Sequence, residues 1–355
     1  MSTAKGVTWD LSFFYEGPDD SRIEEDLARA DELAKEIAEK YRKHIIEASA
    51  ADLAEMLKEY EDFVETGARP QLYALLLFTE NTSSSQAQSL LSRVEKRITE
   101  ASNKLVFIDL EINQIEDARF KELLKNEVLA EYRHYLELVR LQKPYLLGEE
   151  AEQVLLKKRL TSIKAWDKFY EEFTSNFEFE LEINGKKKTL NDAQMRNLFT
   201  DPDRDLRERV FKTYYSVYEF EQNRLALKHI FNNVFQDHSI VEELRKYEEP
   251  MVPAFLRDQV KGDIIRLLMD ITRRNYPLLQ EYYQLKAQIL GHKIMGWDIL
   301  APYPVPEKTY DWNTGKKMVL EAYESFSPEL RDVALKFFDG WIDADPRKGK
   351  RGGAA

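Results

Sequence analysis

Five histidines are present, His44, His134, His229, His238 and His292, and the two nearest, His229 and His238, are nine positions apart. A helix-borne hydrolytic zinc site commonly places two imidazoles four residues apart, so that both fall on one face, with a glutamate beside the first to activate water. That spacing is missing here. His238 precedes Glu242, but one imidazole and one carboxylate fall short of three protein ligands and an open position. Cysteine is absent, which removes thiolate catalysis, disulfides, iron–sulfur clusters and Cys-ligated zinc. Neither a glycine-rich phosphate loop nor a nucleophile elbow occurs. Carboxylate pairs such as Glu248 and Glu249 read as a solvated helix face. Tyr214, Tyr215, Tyr218, Tyr282 and Tyr283 fall at helical spacing and read as core or interface, with a peptide groove as the alternative. One run remains, Arg347-Lys-Gly-Lys-Arg-Gly-Gly-Ala354, which on composition alone is a flexible basic terminus.

Any such site has to be positioned by helices. The chain has 355 residues, 43% hydrophobic and 33% charged, enough for two or three globular domains with real cores. Its net charge of −12 repels phosphate backbones and anionic membranes, which argues against a nucleic-acid partner. No apolar stretch approaches the roughly 20 residues needed to span a bilayer, and the N-terminus lacks a basic segment followed by an apolar one. These features lead to the expectation of a soluble cytoplasmic protein without a membrane partner.

Ile23, Leu27, Ala30, Ala34, Ile37 and Tyr41 recur at helical spacing and predict a helix over Ser21 to Ile46, with Ser21 and Glu24 as a capping box. A second helix is expected over Asp52 to Glu65. Gly67 and Pro70 then punctuate the chain before a buried helix at Leu72 to Thr79. The longest stripe starts near Gln86 and runs through Leu90, Val94, Ile98, Ala101, Leu105 and Ile108 to Ile115. Helices follow over Phe120 to Leu141 and Gly148 to Ser175. Strand alternation occurs once, in Phe177, Phe179, Leu181 and Ile183, before Asn184-Gly185, and predicts a hairpin ending near Leu190. Beyond Asp201-Pro202 a long run reaches Phe235. Further helices cover Val260 to Ile271, where Pro277 ends or kinks the pattern, then Leu278 to Leu290 with Gly291 as C-cap, then Thr314 to Phe326 and Pro328 to Phe338. An extended, proline-stiffened loop is expected at Ala301 to Pro306.

Several short runs occur in a telling order. Trp9-Asp-Leu11, the helical first half, the ribbon from Phe177 to Leu190, and Asp201-Pro-Asp-Arg204 followed by Arg207 resemble the N-terminal region of oligoendopeptidase F enzymes of peptidase family M3. Tyr282-Tyr-Gln-Leu-Lys286, Leu290-Gly291, Trp297-Asp298 and Ala301-Pro302 resemble a later stretch of that family. Gly340-Trp-Ile-Asp343 and Gly349-Lys-Arg-Gly-Gly-Ala354 resemble its approach to the active site. The resemblance covers essentially the whole chain. It implies a mainly α fold: an N-terminal helical region over 1–115, a helical lobe with one small β-hairpin over 116–200, and the truncated start of a catalytic domain over 201–355. In that family a zinc helix with HExxH and a further Glu ligand follows the glycine-rich run. The resemblance therefore implies zinc in the complete enzyme, none bound by these residues, and an oligopeptide substrate. It assigns Gly349, Lys350, Arg351, Gly352, Gly353 and Ala354 to a substrate-binding strand whose backbone pairs with an extended peptide, although Gly353 stands where Ser is common. No catalytic or metal-binding residue is assigned. Part of a peptidase, completed in one version by a second chain carrying the zinc segment, is one expectation. A non-catalytic peptide-binding or scaffolding module is the other. The segment after Gly340 is expected to leave Trp341 and Ile342 under-covered.

Overall fold

A computed structural model describes residues 4–303, 308 and 310–351. The first core is built by helices α1 (Ser21–Tyr41), α2 (Ala50–Glu80), α3 (Ser85–Asn103), α4 (Phe107–Gln114), α5 (Asp117–Leu123) and α6 (Arg133–Leu141). Its buried side chains run from Tyr15 to Val139 and include all six apolar positions of the first predicted stripe. The capping residue of α1 is Asp20 rather than Ser21. Its carboxylate accepts from the Arg22 amide, and it has the extended backbone that a cap requires.

Two sequence breaks do not break the chain. Gly67 and Pro70 both lie inside α2, which continues for 31 residues. Pro70 removes one helical donor, yet both residues are buried in the packed face. A Cβ on Gly67 would lie 3.2 Å from Ile98 Cδ1, so this glycine lets α2 and α3 approach closely. Leu72 and Leu75, expected inside a buried helix, are exposed. Conversely, the long stripe is divided between α3 and α4. Arg42 Nη2 donates to the Lys104 carbonyl at 3.1 Å, and the Lys104 ammonium pairs with Asp31. Leu90, Val94, Ile98, Ala101, Leu105, Ile108, Ile112 and Ile115 are nonetheless all buried.

Helices α7 (Glu149–Lys158) and α8 (Ile163–Ser175) lead to the hairpin of β1 (Phe179–Ile183) and β2 (Lys186–Leu190), paired antiparallel from Phe179↔Leu190 to Ile183↔Lys186. Asn184 and Gly185 take φ of 53° and 72°, as the tight turn demands. After α9 (Asp192–Leu198), α10 (Arg204–Glu219) closes a small second core in which Phe179 stacks on Tyr214 and packs with Leu181, Met195, Leu206 and Val210. Asp203 caps α10, its carboxylate accepting from the Asp205 amide. Phe220 then breaks the expected continuous run, and Asn223 Nδ2 donates to the Val217 carbonyl at the break.

The remaining helices are α11 (Glu221–Arg245), α12 (Val252–Arg257), α13 (Gly262–Arg274), α14 (Tyr276–Leu290), α15 (Trp312–Phe326) and α16 (Pro328–Lys336). Pro277 sits in the first turn of α14, where its missing N–H costs nothing, and Gly291 caps that helix at φ 74°. The expected loop at 301–306 lies partly outside the described residues. Among described residues 221–341, only Ile230, Lys286, Asp298, Ala301 and Ala334 are buried. Trp341 is exposed and lies near Phe13 and Phe337, but the uncovered apolar surface is far wider than the Trp341–Ile342 region.

Candidate functional site

The basic run from Arg347 is held in place by three separate parts of the chain. Upstream, the Gly340 carbonyl accepts from the Asp10 amide at 2.7 Å, and the Val7 carbonyl accepts from the amides of Ala344 and Asp345 at 2.9 and 3.0 Å. Downstream, the Gly349 carbonyl accepts from the Thr82 amide at 2.7 Å and from Thr82 Oγ1 at 2.9 Å. The Arg351 amide donates to the Thr79 carbonyl at 2.9 Å. The end of α2 and the loop before α3 thus hold residues 349–351 through backbone bonds.

Each cation of the run has an anionic partner. Arg347 grips the Asp343 carboxylate through two nitrogens at 2.8 and 2.7 Å and also lies 3.2 Å from Glu80. Lys350 Nζ lies 3.0 Å from Asp343 and donates to its carbonyl at 2.6 Å. Lys348 pairs with Glu178 at 2.7 Å and Arg351 with Glu171 at 3.0 Å. The Asp343 carboxylate is almost fully buried. Burial alone would raise its pKa, but the hydrogen bonds from Arg347 and Lys350 outweigh it and hold the group below the ordinary carboxylate value.

Gly349 is required at its position for two reasons. Its φ is +77°, and a Cβ would fall 2.7 Å from Asn81 Oδ1 and 3.2 Å from Ser83 Oγ. Residues 348 and 349 form a turn, and 350–351 are irregular. Over 349–351 the backbone is not a regular strand, and its Gly349 carbonyl and Arg351 amide are bonded to Thr82 and Thr79. Gly352, Gly353 and Ala354 lie outside the described residues.

A second polar cluster joins sequence runs about ninety positions apart. Asp298, fully buried, receives Arg204 at 3.2 and 3.1 Å, Arg207 at 3.0 Å and the Met295 amide at 3.0 Å. Arg207 also donates to the carbonyls of Trp297, Asp201 and Pro202. Burial raises the Asp298 pKa, and the hydrogen bonds from Arg204, Met295 and Arg207 bring it below its ordinary value. Lys286, also buried, donates to the Ile299 carbonyl at 2.7 Å. Arg204, Arg207, Lys286 and Asp298 together anchor the loop over 295–303.

The histidines are scattered. His134 meets Gln259, His238 meets the Pro250 carbonyl, and His292 lies 3.8 Å from Asp298. Among the described residues no group of three or more His, Cys, Asp or Glu side chains could hold a metal ion. The donor set present does not fit a hydrolytic zinc site. Among the described residues no helix is long and apolar enough to cross a membrane. Thr79, Thr82 and Glu171, which hold the basic run, carry no distinguishing signal in the sequence.

A family model described as Oligopeptidase F matches residues 111–179, and one described as Peptidase family M3 matches 197–355. An oligoendopeptidase F homolog of Lactococcus lactis subsp. lactis is 23% identical over 98% of this chain and 58% of its own length. Oligopeptidase PepF of Bacillus subtilis is 21% identical over 98% of this chain and 52% of its own. The crystal structure of oligoendopeptidase-F from Enterococcus faecium superposes with a TM-score of 0.72 at 21% identity, covering 90% of this chain and 60% of that one. The chain spans a little over half the length of these relatives.

Proposed function

The chain belongs to peptidase family M3, of the oligoendopeptidase F kind, and from that premise we propose that its 355 residues form the N-terminal lobe and the opening helices of the catalytic lobe of an oligopeptide-hydrolysing zinc enzyme. The supporting observation is the ordered succession of the two family matches along a chain whose fold follows the relatives. Residues 1–115, 116–200 and 201–355 are the corresponding segments. The first core crosses the first of these borders, since it continues to Val139. In this reading zinc and its activating base come from residues outside the 355, and the chain alone does not cleave peptides. A cytoplasmic place belongs to the same proposal.

The exposed apolar faces of α11 and α13–α16 support the reading, because the relatives carry additional length able to cover them. The second reading is a peptide-binding or scaffolding module without the chemistry. Metal content and turnover of a quenched peptide, measured on the chain alone and mixed with a polypeptide carrying the family's zinc segment, separate the two. Chelator-sensitive cleavage only in the mixture supports the peptidase reading. Cleavage by the isolated chain overturns its inactivity, and an inactive but folded mixture leaves the binding module.

A further inference from the structure

Helix α1 ends at Tyr41, and just beyond it Lys43 takes a φ of 70°. That left-handed position past a helix end is ordinarily glycine's, because a Cβ is strained there. Glu111 on α4 holds the turn: its carboxylate accepts from the Lys43 amide at 2.7 Å and from the Ile45 amide at 3.3 Å. Glu111 is buried, at 8% exposure, and among the described residues no Lys, Arg or His side chain pairs with it. A carboxylate offers about four acceptor sites. Two amides leave part of that capacity unused, where a buried charge without a counter-ion is costly.

Phe107, Leu110, Glu111 and Gln114 stand at i, i+3, i+4 and i+7 of α4 and so share one face of the helix. That face borders a recess of about 310 Å³, closed on one side by Lys43 and Ile46 and on the other by Leu147 to Glu149. Arg42 takes up the Glu149 carboxylate at 2.6 Å and lies over the Phe107 ring, 4.4 Å from its centroid. Two charges at the recess are then left without an opposite: the Glu111 carboxylate, and the exposed Lys43 ammonium, which no described residue engages. The remaining lining is mainly apolar, with Ile46, Phe107, Leu110 and Leu147.

We propose that this recess binds a free apolar α-amino acid, its ammonium on Glu111, its carboxylate on Lys43 and its side chain against Ile46, Phe107, Leu110 and Leu147. The charge pattern selects a zwitterion. A simple amine leaves Lys43 unmatched, and a simple carboxylate leaves Glu111 facing a second anion. The volume lies at the small end of ligand sites, which suits a side chain the size of leucine or phenylalanine. The strained turn fits the same assignment, because glycine would adopt it without strain whereas lysine adds the ammonium. The site lies within residues 42–149 and does not depend on the peptidase reading.

Isothermal titration calorimetry of the full 355-residue chain with L-leucine and L-phenylalanine should show saturable binding at one site per chain. Leucinamide, which lacks the carboxylate, and isocaproate, which lacks the ammonium, should each bind about tenfold more weakly than leucine, the loss of one charge-assisted contact. Lys43→Gly should weaken leucine by about tenfold without weakening leucinamide, and Glu111→Gln should weaken leucine by about tenfold without weakening isocaproate. Absence of saturable binding by either amino acid to the folded chain overturns the proposal. Leucine affinity that survives both substitutions places binding elsewhere and overturns the site. Equal affinity for leucine and its two analogues overturns the charge pairing. If Glu111→Gln does not fold, because the carboxylate also holds the turn at 43–45, Lys43→Gly carries the same outcomes, since glycine suits the left-handed backbone there.

Discussion

Helices α3 and α13 have apolar stripes of the same kind and opposite surroundings. On α3, Leu90, Val94, Ile98 and Ala101 are buried against α1 and α2. On α13, Ile264, Leu267, Leu268 and Ile271 are each about half exposed, at 53, 55, 57 and 46%. The contrast extends to whole regions. Residues 15–139 enclose one continuous apolar core, whereas 221–341 are held largely by polar anchors such as the Asp298 cluster. Periodicity states that a helix face needs cover, but not which element supplies it. The two regions should therefore fail differently: the first when volume is removed, the second when charge is removed.

The largest effect should come from Arg207→Ala. It leaves Asp298 buried with one guanidinium fewer and frees three carbonyls, and removing one partner of a buried pair costs about 3–5 kcal/mol. Hydrogen exchange over 295–303 should rise sharply while α2 stays protected. Equal loss in both regions would merge them into one cooperative unit and erase the comparison. Next comes Leu53→Ala, a fully buried position of α2, expected to cost about 2–5 kcal/mol in urea unfolding through lost burial and a residual cavity. Leu267→Ala on α13 should stay within about 0.5 kcal/mol in the same assay.

Acid sharpens the comparison further. Asp298 and Asp343 both have folded pKa values below the ordinary range. A depressed carboxylate contributes stability that is present above its unfolded value of about 3.9 and lost as pH falls through the lower folded value. Exchange at 295–303 and 343–351 should accordingly accelerate below about pH 4, before the α2 amides respond. Acceleration first on raising the pH from neutrality would have the wrong sign for this mechanism.

The positions of the helices and the hairpin were largely legible because burial follows local spacing: the six positions of the first stripe and the Asn184-Gly185 turn need only near neighbours to be read. The ends of elements were less so. Pro70 stays inside α2, where it is buried in the packed face, and the break between α3 and α4 carries a hydrogen bond from Arg42, 62 positions away in sequence. The candidate site was legible as a basic run and no further. What holds it is Thr79, Thr82, Glu171 and Glu178, ordinary residues made specific only by folding. The same applies to Arg207 and Asp298, which stand in separate sequence runs and meet in one ion pair.

The smallest expected effect tests the second region most directly. If the apolar faces of α13 and α15 have no partner within this chain, polar replacement there removes no packing, and exposed positions outside special features change stability by no more than about 0.5 kcal/mol. Phe326, 84% exposed at the end of α15, is the clearest case, with Leu267 as its companion on α13. Phe326→Ser and Leu267→Ser should leave urea unfolding almost unchanged, yet lower self-association in sedimentation velocity, since uncovered apolar patches of this extent promote association. A cooperative loss of stability comparable to that of Leu53→Ala would mean that these faces are packed within the chain in solution. The distinction between a region closed by its own core and one still presenting its faces would then fall.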